Sequence, residues 1–243
     1  MKVDILTHRD GKQAVVRYDY ELRHEDEKPM ALDVLLQAQA TTMPDLAFRY
    51  GCRARNCGVC TIDVNDKPRI ACRARVREGD TISPMATLPV LSDLVVRRDG
   101  IARQMRGHLS SGGQGNDLNV EAPDDYHDLT ACIECYACLN KCPMHARNFD
   151  GGLPDDMAEG TAPDPGEGYR WGSPFSLLKL QRIRLDPLST ETGRENALQH
   201  ALTLGLDACV DCPGCKCGVG IDLKRKVVGA LLSAAKDRLP AAE

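Results

Sequence analysis

Twelve cysteines fall in this 243-residue chain as three groups of four. Cys52, Cys57 and Cys60 run Cys-x4-Cys-x2-Cys, and Cys72 follows after eleven intervening residues. Cys132, Cys135, Cys138 and Cys142 run Cys-x2-Cys-x2-Cys-x3-Cys and close on Pro143; Cys209, Cys212, Cys215 and Cys217 form the last group. Thiolates are the metal-ligating form of cysteine, and none is left over. A count that divides among clusters in this way predicts electron transfer through iron–sulfur centres. No nucleophile–base pair, phosphate loop or paired catalytic carboxylates stand out as a competing chemistry.

The first spacing is that of a plant-type 2Fe–2S loop, in which a tight turn converges three thiolates and a distant strand supplies the fourth. Gly51 and Gly58 are expected to let the backbone bend inward, so that amides point at the sulfurs. Tetrahedral zinc also takes four thiolates, but zinc sites usually pair two short Cys-x2-Cys knuckles, unlike the x4 step here. The second spacing is the bacterial ferredoxin run, whose fourth cysteine ligates the other cluster in two-cluster proteins. Cys132, Cys135 and Cys138 are then expected to share a cluster with one cysteine of the last group. Cys142 joins the remaining three.

These groups need elements to carry them. Val3–Arg9 and Gln13–Leu22 alternate as strands across the turn signal Asp10-Gly11. Helical spacing follows in MALDVLLQAQA, and short strands are expected at Thr61–Val64 and Thr81–Ile82 with Asn65-Asp66 turning beyond the first. Ser92 to Gly107 reads as an arginine-rich helix. Ser110 to Asp125 is glycine-rich and polar, and a domain boundary is placed at its start. In the second half, Ser173-Pro174 gives a cap and a proline at the first turn of a helix ending before Pro187. Thr190 to Leu204 forms another helix with Gly205 at its left-handed end, and a last one opens at Ile221-Asp222. Between them, Asn148–Gly168 is acidic, rich in Gly and Pro, and expected to be a surface loop.

Twelve cysteines in 243 residues lie below the ~8–10% of a disulfide-stapled secreted chain. The opening MKVDILTHRDGK has no apolar core, so a cytoplasmic location with reduced thiols is expected. No run reaches the ~18 apolar residues of a membrane span. A net charge of −4 argues against nucleic acid as the partner.

A plant-type half followed by a bacterial-type helical half resembles the iron–sulfur subunit of the succinate dehydrogenase/fumarate reductase family. The text that carries the resemblance is FRYGCRARNCGVCTIDVNDKPRIAC, MATLPVLSDLVV, CIECYACLNKCP and SPFSLLKLQRIRLDPL. It implies an α+β chain: a β-grasp ferredoxin-type domain over residues 1–107, then an all-helical bacterial-ferredoxin-like domain over 108–243. It also implies one [2Fe–2S] cluster on Cys52, Cys57, Cys60 and Cys72 and one [4Fe–4S] cluster. The partner implied is an FAD-containing dehydrogenase subunit acting on a C4 dicarboxylate. Beyond it stands a membrane-anchor/quinone subunit, holding the chain at the inner membrane face, or a soluble electron acceptor. No substrate site and no catalytic residue are expected on this chain.

Two departures from the family bear on its far end. The family's third cluster is usually 3Fe–4S because the second position of the last motif is not cysteine; here it is Cys212, so Cys142, Cys209, Cys212 and Cys215 are expected to hold a [4Fe–4S] or [3Fe–4S] cluster. The family ends Cys-x3-Cys-Pro, whereas here Cys215-Lys216-Cys217-Gly218 is two residues shorter. Cys217 is assigned to Cys132, Cys135 and Cys138, and an alternative register makes Cys212-Pro213 the Cys-Pro ending. The family's tryptophan pair beside the quinone is replaced by Met144-His145-Ala146-Arg147, with the sole tryptophan at Trp171. This suggests another acceptor, and a different soluble flavin-dependent dehydrogenase is the alternative assignment. His145 reads as a surface residue or a donor to a quinone carbonyl. Arg53, Arg55, Arg73 and Arg75 are a docking or charge-stabilising group, or simply a solvated face. His108, His127 and His200 read as structural.

Overall fold

The computed structural model describes residues 1–113, 119–146 and 172–238. It separates into two compact units, Met1–Arg98 with Ile133–Asn140, and Asp99–Cys132 with Lys141–Glu243. The acidic segment, Arg147 and Trp171 lie outside the described residues.

In the first unit, β1 (Lys2–Arg9) and β2 (Lys12–Asp19) pair antiparallel in full register from Lys2↔Asp19 to Arg9↔Lys12. Their turn places both Asp10 and Gly11 at positive φ, 51° and 72°, the twist that a two-residue hairpin requires. β1 alternates as its sequence does, burying Val3, Ile5 and Thr7. β3 (Thr61–Val64) and β4 (Lys67–Ile70) repeat the device across Asn65-Asp66, at φ 50° and 58°. β5 (Thr81–Ser83) runs parallel to β1 and antiparallel to β3, completing a five-stranded mixed sheet of order β2-β1-β5-β3-β4.

Helix α1 (Ala31–Thr41) buries Ala31, Leu32, Val34, Leu35 and Ala38. Truncating one such leucine to alanine removes about 2–5 kcal/mol. Its start has no capping hydroxyl; instead the Asp33 carboxylate accepts the Met30 amide at 3.0 Å.

The helix expected from Ser92 to Gly107 is only partly present. β6 (Val90–Ser92) and β7 (Val95–Val96) form a small hairpin first, and α2 is confined to Asp99–Met105. The cause is Asp93, which is fully buried at the hairpin turn. Its carboxylate takes a two-pronged hydrogen bond from Arg9 (3.0 Å from Nε, 3.0 Å from Nη2) and the Ala47 amide at 2.9 Å. Those long-range partners hold the chain in a left-handed turn at Asp93 where its local composition favours helix.

The second unit is helical. α3 (Asp124–Thr130), α4 (Pro143–Ala146), α5 (Pro174–Leu185) and α6 (Glu191–Thr203) precede a C-terminal element that is π-helical over Lys224–Gly229 and becomes α7 at Ala230–Ala234. Ser173 caps α5 by accepting the Ser176 amide at 3.1 Å, with Pro174 at the first turn. Thr190 caps α6 through the Gly193 amide, and Gly205 beyond it has φ 95°. Leu177, Leu178, Leu180, Ala201, Val227 and Leu231 form the core. The glycine-rich stretch after Ser110 begins by packing tightly here. A Cβ on Gly193 would stand 2.1 Å from the Ser111 carbonyl oxygen, which also accepts the Thr190 amide.

Candidate metal centres

Hairpin geometry assembles the first cysteine group. Cys60 directly precedes β3 and Cys72 follows β4 by one residue, so the Thr61↔Ile70 register brings them together. The Ala71 amide donates to the Cys60 carbonyl at 3.0 Å, while the Ala31 and Leu32 amides of α1 donate to Ala74 and Ala71 at 2.7 and 3.1 Å. The helix thus anchors the turn that carries Cys72. Cys52 and Cys57 come from the loop preceding β3.

In that loop Arg53 and Arg55 sit at positive φ, 54° and 63°, turning the Ala54 and Asn56 amides onto the Cys52 sulfur, each at 3.3 Å. Those two amides, then the Cys57 thiol, bring the Cys52 thiol down to about 7. Burial pushes Cys60 up to about 11, with the Cys72 and Cys57 thiols adding to the rise against the Cys72 amide. The site is graded: Cys52 is exposed, Cys57 half-buried, Cys60 and Cys72 buried. Gly58 has φ 61° as the sequence required, whereas Gly51 lies outside the left-handed region. Arg53, Arg55, Arg73 and Arg75 flank the group; all four are exposed, and Arg53 lies 5.4 Å from the Tyr50 ring centroid.

In the second unit Cys142 lies within electrostatic reach of thiols of the last group. Burial raises the Cys142 thiol against the amides of His145 and Met144, and Cys212 adds to the rise. Cys209 is pushed up to about 12 by burial, then by Cys142, Cys215 and Cys212. Cys215 reaches about 11 by burial, then by Cys142 and Cys212. Three thiols, Cys142, Cys209 and Cys215, held up by burial and by neighbouring sulfurs, fit a group that supplies positive charge to them. Lys224 is the nearby cation: its ammonium donates to the Cys212 carbonyl and its stem lies 3.4 Å from where a Gly214 Cβ would be. It pulls both Cys209 and Cys215 downward. Cys217 is not among the thiols that raise these three; its sulfur accepts the Val219 amide at 3.4 Å.

The remaining predicted set is divided between the units. Cys135 and Cys138 belong to the first, flanking a left-handed Tyr136 (φ 60°) and a 3-10 turn over Ala137–Leu139; Cys132 and Cys217 belong to the second. Among the described residues, no three His, Cys, Asp or Glu side chains converge on a single-ion position. No helix among them is long and apolar enough to cross a membrane.

His145 is not a surface residue: it is 4% exposed, because α4 packs against the 3-10 turn at Leu206–Cys209. His108 and His200 contact each other edge-on at 4.8 Å, and His127 meets Tyr126 at 6.0 Å. Sequence reasoning missed Arg98 and Lys224. Lys224 showed only as one of several basic residues on the last helical pattern, and nothing in the sequence set Arg98 apart.

A family profile described as a 2Fe-2S iron-sulfur cluster binding domain matches residues 2–103. The chain is 36% identical over 212 residues to one of the subunits of the fumarate reductase (CoM/CoB) of Methanothermobacter marburgensis, covering 85% of this chain and 37% of that protein. It is 30% identical over 140 residues to the "Fumarate reductase iron-sulfur subunit" of Escherichia coli O157:H7, covering 53% and 57% respectively. It therefore spans from about a third to a little over half the length of these relatives. The solved "Mycobacterium smegmatis Sdh1 complex in the apo form" contains a chain of the same fold, with a TM-score of 0.75 at 23% identity over 98% of this chain and 95% of that one. With the 2Fe-2S match at its head and these relatives along its length, the chain is similar to the iron–sulfur subunits of fumarate reductase and succinate dehydrogenase.

Proposed function

We propose that this chain is the electron-transfer subunit of a succinate dehydrogenase/fumarate reductase-type complex, passing electrons between an FAD-containing subunit and a quinone or other acceptor. In this reading its first unit is a β-grasp ferredoxin-type fold and its second a bacterial-ferredoxin-like helical one. Cys52, Cys57, Cys60 and Cys72 hold a [2Fe–2S] cluster. Cys132, Cys135, Cys138 and Cys217 hold a [4Fe–4S] cluster. Cys142, Cys209, Cys212 and Cys215 hold a third, of the four-iron type because four thiols are present. Bound clusters supply one-electron transfer without a substrate site.

The observation that carries the proposal is the company of Cys142 with Cys209, Cys212 and Cys215. A run that gives its last cysteine to another group is the interleaving of two-cluster ferredoxins; separate zinc knuckles have no need of it. The chain's own groups then set the centres' electrostatics. The Ala54 and Asn56 amides offset charge on the Cys52 sulfur, and Lys224 does the same for Cys209 and Cys215.

A soluble, non-quinone acceptor is the second reading. It is favoured by the buried Met144-His145 pair at the position where the family places its tryptophans. The Methanothermobacter relative is likewise named for CoM/CoB rather than for a quinone. Native purification under anaerobic conditions tests both readings. Recovery of a flavoprotein partner with succinate or fumarate activity supports the family assignment, and reduction of a quinone against reduction of a soluble disulfide separates the acceptors. A partner inert to C4 dicarboxylates overturns the first reading.

A further inference from the structure

Arg98 ties two cysteine loops of the first unit together. Its Nη1 donates to the Gly58 and Val59 carbonyls at 3.0 and 3.1 Å, between Cys57 and Cys60. Its Nη2 donates to the Glu134 carbonyl, next to Cys135, and its guanidinium carbon lies 5.2 Å from the Tyr136 ring centroid. The loops also touch directly: a Cβ on Gly58 would stand 2.4 Å from the Ile133 carbonyl oxygen and 3.0 Å from the Cys135 Cα. Both loops use left-handed backbone here, at Gly58, Glu134 and Tyr136.

We propose that Arg98 is a positioning residue for electron transfer between the first and second clusters, clamping the Gly58–Val59 turn to the Glu134–Tyr136 turn and presenting one partly buried positive charge to both thiolate sets. The inference rests on the cluster assignment above and adds a residue that assignment does not contain. Three features support it. A planar guanidinium has a fork of donors that reaches carbonyls on two loops at once, which a lysine cannot reproduce. The Tyr136 ring face adds a cation–π contact at a partly desolvated place. Burial lowers the Arg98 pKa, and Tyr136, Cys135 and Cys57 draw it back up, so one thiol of each set lies within its electrostatic reach. An arginine remains charged under such shifts, and a fixed positive charge favours the more negative, reduced state of each neighbouring centre. The electron lost at one centre is the electron gained at the other, and Arg98 keeps its proton throughout.

The test compares full-length wild type, Arg98→Lys and Arg98→Met, each purified anaerobically with its native partner, by EPR-monitored redox titration and by magnetic coupling between the reduced centres. Arg98→Met is expected to shift both midpoint potentials negative. Arg98→Lys keeps the charge and is expected to hold both potentials near wild type, while losing the fork and weakening the coupling. Arg98→Gln, neutral but still a donor, carries the same expectation as Arg98→Met if that variant fails to retain its clusters. Unchanged potentials in the neutral variants with intact clusters overturn the proposal, as does a shift at one centre alone. Wild type lacking the two signals overturns the cluster assignment instead, so the two failures are distinct.

Discussion

Replacing Gly58 with alanine probes the contact on which the first unit's two cysteine loops depend. The residue has φ 61°, where any side chain other than glycine costs about 1–2 kcal/mol. The new methyl would stand 2.4 Å from the Ile133 carbonyl oxygen and 3.0 Å from the Cys135 Cα, both backbone atoms that cannot swing aside. Forcing a methyl into such a contact adds about 1–3 kcal/mol. The loss is then about 2–5 kcal/mol, a large share of the roughly 5–15 kcal/mol that holds a typical domain. Chemical denaturation followed by circular dichroism reads the stability, and the 2Fe–2S absorbance reads the local effect. An equally small change at Gly79, whose Cβ would meet nothing within 4 Å, serves as the control because it carries the φ penalty without the clash. If Gly58→Ala and Gly79→Ala lose the same stability, the close approach of the two loops is wrong.

Asp93→Ala removes a buried carboxylate bonded to Arg9 and the Ala47 amide and is expected to cost about 2–3 kcal/mol at neutral pH in a urea titration. Burial alone would raise the Asp93 pKa, yet Arg9 and the Ala47 amide hold it below the usual carboxylate range. Its stabilisation is therefore full above about pH 4 and fades as pH falls through the lowered value, so the gap between variant and wild type narrows on acidification. Cys212→Ser is expected to lower the iron content and convert the third centre's EPR signal, and an unchanged signal means that Cys212 is not a ligand. Ser173→Ala removes the α5 cap and is expected to cost about 1 kcal/mol by thermal melting; an unchanged melting temperature would mean that the Ser173 hydroxyl does not cap the helix.

What the sequence made legible was local. Asp10-Gly11, Asn65-Asp66 and Ser173-Pro174 carry their own turn and cap chemistry, and each forms where its residue types require. The unread parts depend on partners far along the chain. Arg9 and Ala47 hold Asp93 in a left-handed turn from 84 and 46 residues away, which turned an expected helix into a hairpin. Arg98 meets Gly58 and Glu134 at separations of 40 and 36 residues, distances over which no periodicity speaks. Arg53 and Arg55 adopt a left-handed backbone that glycine, asparagine or aspartate would have advertised. The burial of His145 follows from packing at Leu206–Cys209, far beyond it in the chain.

The central claim, that the twelve thiols hold iron–sulfur clusters in three separate groups, is tested most directly by EPR of the anaerobically purified, stepwise-reduced protein alongside iron, zinc and acid-labile sulfide analysis. The account predicts iron with sulfide and three centres that titrate separately, the first with a 2Fe–2S signal. Stoichiometric zinc without acid-labile sulfide, or fewer than three reducible centres in fully loaded protein, would contradict it.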